Sequence, residues 1–162
     1  MLIRKNDSGR SIVEMLGVLA IMGVITVMGI SGYSQAVGKI NRNKVIEDVT
    51  RIVQEVRGLY AGKKSVYTDI PAGSAADSTA NDVLVQIGFR DTTTKHPFGG
   101  VYYVTRSGQD GDIYRTFTVN ISNTGTTDCY YLANYGWEGV TLDDDGKPNS
   151  KCTSGTVTIE FE

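Results

Sequence analysis

Residues 12–30 read IVEMLGVLAIMGVITVMGI, a run of 19 residues in which Glu14 is the only charge. As an α-helix this run would be about 29 Å long, close to the thickness of the hydrocarbon core of a bilayer. Arg4, Lys5 and Arg10 precede it, and these basic residues favour a cytoplasmic location for the amino-terminal end. The run therefore predicts a helix that can span a membrane.

Two simpler interpretations of this segment do not account for Glu14. A cleaved secretory signal has an apolar stretch of about 7 to 15 residues followed by a small-residue cleavage site, and the sequence here fits neither feature. A plain single-span anchor explains the length but not the carboxylate, which costs on the order of 2 to 3 kcal/mol in hydrocarbon. We expect Glu14 to have a positively charged partner that is equally buried.

Residues 8–24 resemble the class III signal of type IV prepilins, through Ser8-Gly9, the charge at Glu14 and the apolar run that follows. In that family a prepilin peptidase of the inner membrane cuts after the glycine, and a glutamate stands at the fifth mature position. The resemblance implies cleavage between Gly9 and Arg10, methylation of the new amine, and pairing of Glu14 with the amino terminus of a neighbouring subunit. Arg10 departs from the family, which usually has Phe, Met or Leu there, and it lies one turn before Glu14, within reach of an ion pair in the same chain.

The chain becomes amphipathic after this segment. Apolar residues recur every three to five positions, at Val37, Ile40, Val45, Val49, Ile52, Val56 and Leu59. The spacing predicts one helix from about Ser11 to Ala61, with an apolar half at 10–33 and an amphipathic half at 34–62. Such a helix would be about 77 Å long, far longer than a head of this size needs. Half of it is expected to serve something outside the head, and a coiled-coil dimer is the alternative use of the stripe.

Residues 63–162 predict a globular head. A turn-rich connector at 63–98 includes a short helical segment from about Thr79 to Ile87, capped by Ser78. Strand patterns follow at Val101–Thr105, at Ile113–Ile121 and around Val157, Ile159 and Phe161, with a turn at Ser107–Gly111 between the first two. An antiparallel sheet laid on the amphipathic half-helix would bury both apolar faces. The predicted fold class is α+β, which is the pilin fold that the resemblance implies.

Cys129 and Cys152 are the only cysteines, and His96 is the only histidine. These residues cannot supply the four Cys or His ligands of a structural zinc site. In an exported chain the two cysteines would form a disulfide, and in a cytosolic chain they would be buried thiols. The resemblance is closest to type IVb pilins, and it implies a Cys129–Cys152 bridge that closes an exposed loop. The stretch from Cys129 to Asn134 fits either a short helix or a strand.

The sequence contains few signals for catalysis, metal binding or ligand binding. His96 precedes a proline in a turn, and no nucleophile motif accompanies it, so we predict no catalytic site. The acidic turns at 110–112 and 143–146 fit calcium ligation or Asx turns, but neither has EF-hand spacing. Four aromatic residues between the two cysteines could form a ligand or receptor patch or pack beneath the disulfide loop: Tyr130, Tyr131, Tyr135 and Trp137. A net charge of −2 gives no general attraction to nucleic acid.

Taken together, the residues and the resemblance predict a structural subunit with no cofactor and no metal. Residues 1–9 would be a leader removed by prepilin peptidase, and the mature chain would pass from the bacterial inner membrane into a helical homo-oligomeric filament through a pilus assembly machinery. The expected product is an extracellular type IVb-like pilus for adhesion or conjugation. A minor pilin, or a pseudopilin of a periplasmic type II secretion pseudopilus, is the alternative within the family. A single-span membrane-anchored extracytoplasmic binding domain is the alternative outside it.

Overall fold

The structure is a computed structural model that describes residues 12–63, 66–72, 79–89, 95–110 and 112–162. Within these ranges the side chains of 79–81 and of Asp110 are not described. The chain divides into two compact units, Met1–Ile40 and Asn41–Glu162. The second unit contains the sheet and its core, and it is called the head below.

Three helices are present in the described residues, and the first is by far the longest. Helix α1 covers Ile12–Ala61, helix α2 covers Thr79–Gln86 and helix α3 covers Thr126–Ala133. The predicted long helix and the predicted short helix are therefore both confirmed, while Ser78, the predicted cap, lies outside the described residues. Helix α3 contains Cys129, so the helical alternative for that stretch is the one adopted.

Four antiparallel strands form one sheet in the order β1-β2-β4-β3. Strand β1 covers Tyr102–Asp110, β2 covers Ile113–Ile121, β3 covers Ser150–Thr153 and β4 covers Thr156–Phe161. The register places Val104 opposite Val119, and Val119 opposite Ile159, so one face of the sheet is apolar across three strands. The α+β class is confirmed, with the long helix packed on an antiparallel sheet.

The core of the head joins that face to the carboxyl-terminal part of α1. The helix contributes six buried side chains: Val45, Val49, Ile52, Val53, Val56 and Tyr60. The sheet contributes a second set of buried side chains: Tyr102, Val104, Phe117, Val119, Ile121, Val157, Ile159 and Phe161. Tyr67 bridges the two sets, because its ring lies 5.4 Å from that of Tyr60 and 4.9 Å from that of Phe117, centroid to centroid.

Three residues of the predicted stripe on α1 are not buried in the core: Val37, which is half-buried, and Ile40 and Leu59, which are exposed. Ile40 is 63% exposed and Leu59 is 43% exposed, whereas Val53 and Tyr60 are buried in the core. The buried positions follow steps of three and four residues, and Leu59 falls at the edge of the stripe that Val56 and Tyr60 define. The apolar stripe that meets the sheet is therefore shorter than predicted and begins at Val45.

The predicted bounds of the turn between the first two strands are also wrong. Ser107 and Gly108 belong to β1, and the ladder continues until Asp110 pairs with Ile113. Gly108 has a φ of +62°, and a Cβ there would lie 2.2 Å from Oγ1 of Thr116. Only glycine accommodates both this φ and this close approach, so the residue read as a turn signal lies within a strand. One short strand, β3, was not predicted at all.

Candidate assembly surface

The first 19 residues of α1 expose apolar side chains on every side of the helix. Thirteen large apolar residues of this segment are at least 50% exposed: Ile12, Val13, Met15, Leu16, Val18, Leu19, Ile21, Met22, Val24, Ile25, Val27, Met28 and Ile30. A helix that is apolar all round normally lies in lipid or in the interior of a larger body. Residues 12–30 are called the apolar segment below.

By length and composition, α1 is the one helix among the described residues that can cross a membrane. Its most apolar 18-residue window has a mean hydropathy of 2.2, and none of that window is buried within the protein. An amphipathic core helix of a soluble protein would bury one face, as the later part of α1 does. The prediction of a membrane-compatible helix is confirmed in that coarse sense.

Glu14 lies in the first turn of α1 and is exposed. Its carboxylate makes no hydrogen bond or ion pair with any of the residues that the structure describes. A carboxylate in the first helical turn is favoured by the helix dipole, and this interaction is worth only about 0.3 to 1 kcal/mol at an exposed position. If the apolar segment is desolvated, Glu14 therefore needs a charged partner from elsewhere. Gly9 and Arg10, the predicted processing residues, lie outside the described residues.

In the head, a disulfide and an ion pair hold α3 in place. Cys129 and Cys152 are bridged, with 5.6 Å between their Cα atoms, which joins α3 to β3. From α1, Arg42 donates through Nε to the carboxylate of Asp128 at 2.6 Å, and its guanidinium lies 4.6 Å from the ring centroid of Tyr131. Helix α3 is thus tied on one side to the sheet and on the other to α1. The predicted disulfide between Cys129 and Cys152 is therefore confirmed.

A second link between α1 and the sheet is a buried phenol. The hydroxyl of Tyr102, on β1, donates to the Asp48 carboxylate of α1 at 3.0 Å, and the Tyr102 side chain is fully buried. Burial, followed by the negative charge of Asp48, raises the pKa of Tyr102 far above its ordinary value of 10.0. The phenol is therefore a permanent donor, and the sequence contained no local pattern that could have paired residues 54 positions apart.

His96 lies in the turn before β1 and is buried, with its ring centroid 5.3 Å from that of Tyr102. Its Nε2 donates to the carbonyl of Ser122 at 2.6 Å, and its Nδ1 accepts from the backbone N–H of Phe98 at 3.2 Å. Burial lowers the pKa of His96 below 6.5, against weaker opposing effects from the Ser122 carbonyl and Asp48. Both ring nitrogens are used in holding the turn before β1, which leaves the neutral ring a structural role in the described head.

The remaining candidates divide between packing and exposure. Asp143 accepts from the backbone N–H groups of Asp145 and Lys147, at 3.1 and 2.8 Å, so this acidic turn adopts the Asx alternative. Across the described ranges, no three His, Cys, Asp or Glu side chains are placed to share a metal ion. Trp137 is buried, whereas the three neighbouring tyrosines are 38 to 58% exposed: Tyr130, Tyr131 and Tyr135. Packing beneath the loop therefore describes the tryptophan but not the tyrosines.

Comparisons with known proteins do not extend this description. No protein-family model, no curated protein and no solved structure matches the chain. The interpretation of the amino-terminal signal rests on the residues between Ser8 and Val24 and on the exposed helix that follows them.

Proposed function

We propose that this chain is the structural subunit of a type IV, type IVb-like pilus, formed after a prepilin peptidase cuts between Gly9 and Arg10. The observation that carries the proposal is an apolar segment exposed on all sides, in the same chain as a disulfide-bonded head. Near its start lies Glu14, whose carboxylate pairs with none of the described residues. In the filament the apolar segments of many copies form the interior. The heads form the outer surface, and adhesion or conjugation is the role we propose for it.

The size of the apolar segment supports burial against other helices or lipid. Removing a large apolar side chain from water is worth about 1.5 to 3 kcal/mol. Thirteen such side chains are at least half exposed, so their burial would release on the order of 20 kcal/mol, even with a reduction for partial exposure. That exceeds the net stability of most small domains. A chain with this segment would not remain dispersed in water, and it would pass from the membrane directly into an assembly.

In the proposed filament, pairing of Glu14 would determine the axial offset between neighbouring helices. In the membrane its carboxylate is costly, and in a filament it would pair with the positively charged amino terminus of a neighbouring copy. An unpaired charge on either side would be penalised by several kcal/mol, so only one axial offset between neighbouring helices satisfies both groups. The partners proposed for the chain are therefore further copies of itself, the prepilin peptidase and the assembly machinery of the inner membrane.

The same helix also fits a membrane-anchored extracytoplasmic domain that never polymerises, which is the second candidate function. Length and composition alone favour it as much as they favour a pilin. Amino-terminal processing separates the two. Intact-mass analysis of the chain from sheared filaments should give a mature product that begins at Arg10, and a product that begins at Met1 would reject the pilin proposal.

A pair of variants makes the test sharper. Gly9→Val should block processing and leave all of the chain in the membrane fraction, whereas Ser8→Val, next to the cut, should still be processed. Negative-stain microscopy of cells that lack the chain should show fewer filaments if it is a major subunit. Unchanged filaments together with normal processing would favour a minor pilin or a pseudopilin.

A further inference from the structure

The head contains a groove between α1 and the loop that follows α3. Its volume is about 370 Å³, within the range of about 300 to 1,000 Å³ typical of small-molecule sites. One wall is the face of α1 that carries Thr50, Gln54 and Arg57, and the other is the loop from Tyr135 to Glu138. All of these residues belong to the head unit, so the groove is independent of the apolar segment.

Two aromatic residues that contact each other, Tyr135 and Trp137, form part of one wall of the groove. Trp137 is buried, and its indole Nε1 donates to the carbonyl of Leu132 at 2.8 Å. Tyr135 packs edge-on against it, with ring centroids 4.9 Å apart and an interplanar angle of 67°, while remaining 38% exposed. The tyrosine thus contributes an apolar ring, packed on the indole, and a hydroxyl to the lining of the groove. An aromatic surface of this kind is suited to the C–H face of a ring-shaped ligand.

Polar groups in the groove have hydrogen-bonding capacity that the described protein does not use. The amide of Gln54 and the carboxylate of Glu138 make no hydrogen bond or ion pair with any described residue. Arg57, in contrast, is occupied: its Nε donates to the carbonyl of Glu162 at 2.8 Å, and one terminal nitrogen donates to the carbonyl of Gly139 at 3.0 Å. Arg57 holds the loop in position, and Gln54 and Glu138 are left to face a ligand.

The charge of the groove selects the kind of ligand. Arg57 and Glu138 contribute opposite charges to its lining, so neither an anion nor a cation would be attracted strongly. A purely apolar ligand would strip water from the amide and the carboxylate without replacing their hydrogen bonds. The remaining class is a neutral molecule with hydroxyl groups around its rim and an apolar face. A hexose ring has both features.

We propose that this groove binds a neutral saccharide. The ring stacks on Tyr135, its hydroxyl groups donate to the carboxylate of Glu138, and Gln54 both donates and accepts. The site would allow the head to recognise a glycan surface. It does not depend on the proposed filament, because every residue that carries it lies in the head.

Saturation-transfer NMR on the full-length chain tests the proposal. The chain is held in dodecylphosphocholine micelles, which contain no sugar, and the probes are the methyl glycosides of glucose, galactose, mannose and N-acetylglucosamine, each in a separate sample. We expect transfer to the ring C–H protons of at least one glycoside. Tyr135→Ala should weaken its binding on the order of tenfold, through loss of the stacking surface. Gln54→Ala should weaken it several-fold while favouring the helix, so that a folding defect cannot explain the loss.

Tyr130→Ala is the matched control, since Tyr130 is a 58% exposed tyrosine of α3 that does not line the groove. Its glycoside binding should equal that of the parent. The proposal is overturned by an absence of transfer to all four glycosides, or by transfer that the two groove variants leave unchanged. It is also overturned if light scattering shows that the groove variants reduce self-association in the micelles, because a second copy of the chain would then be the occupant.

Discussion

Replacing Glu14 with alanine removes the only charge of the apolar segment and should abolish filaments without affecting the head. Glu14 contacts no described residue through a hydrogen bond or ion pair, and the head core begins at Val45. The direct loss in the isolated chain is the dipole interaction of an exposed first-turn carboxylate, about 0.3 to 1 kcal/mol. Membrane insertion should become easier, since a carboxylate in hydrocarbon costs on the order of 2 to 3 kcal/mol.

The proposed assembly responds in the opposite direction. Each subunit of a filament would lose the partner of one buried amino terminus, and breaking a buried ion pair in this way costs about 3 to 5 kcal/mol. At about 1.4 kcal/mol per factor of ten, the subunit concentration needed for assembly would rise at least 100-fold. The expected phenotype is a chain that is processed and inserted in the membrane but forms few or no filaments.

The assay compares immunoblots of the sheared and membrane fractions for Glu14→Ala, for the parent and for Glu47→Ala. Glu47 is an exposed glutamate of the same helix that likewise makes no hydrogen bond or ion pair with a described residue, but it lies in the head unit. The control should assemble like the parent. Equal filament yields from Glu14→Ala and the parent would refute the pairing of Glu14 between subunits.

Three further predictions concern the head, and each can be followed by the fluorescence of Trp137, the only tryptophan. Replacing Cys129 and Cys152 with alanine should cost about 3 kcal/mol, because the bridge closes a loop of about 24 residues; a denaturation midpoint equal to that of the parent would contradict this. Burial lowers the pKa of His96 in the folded state. Between that pKa and 6.5 the unfolded state therefore binds more protons than the folded state. The free energy of unfolding should fall as the pH decreases through this window and then level off. A His96→Gln variant should lack this slope, and a slope that persists would assign it to another group. Gly108→Ala should destabilise the head by at least about 1 kcal/mol more than Gly146→Ala. Both glycines have a positive φ, but a Cβ would meet a close contact only at Gly108, with Thr116. Equal losses of stability would show that this contact does not contribute.

Much of the fold follows from local patterns in the sequence. Residues 12–30 contain too many apolar side chains for any single buried stripe, so their exposure on a helix and their need for an external partner could be predicted from composition. Strands β2 and β4 alternate with a period of two, and their positions follow from that period. The disulfide was predicted from the export signal and from a family resemblance, and it is present.

The tertiary structure alone decided which residues meet across the chain. Tyr102 donates a hydrogen bond to Asp48, which is 54 positions away in the sequence, and Arg57 donates one to the carbonyl of Glu162, which is 105 positions away. Such contacts depend on how distant parts of the chain pack against each other. The period of two in strands or 3.6 in helices does not predict them, because it describes only residues close in sequence. The same reason explains why Val37 and Ile40 are not part of the core: the helical period shows which positions share a face, but only the sheet shows how far along the helix that face is covered. The groove beside Tyr135 belongs to this second group, because it exists only once the loop after α3 is held against α1.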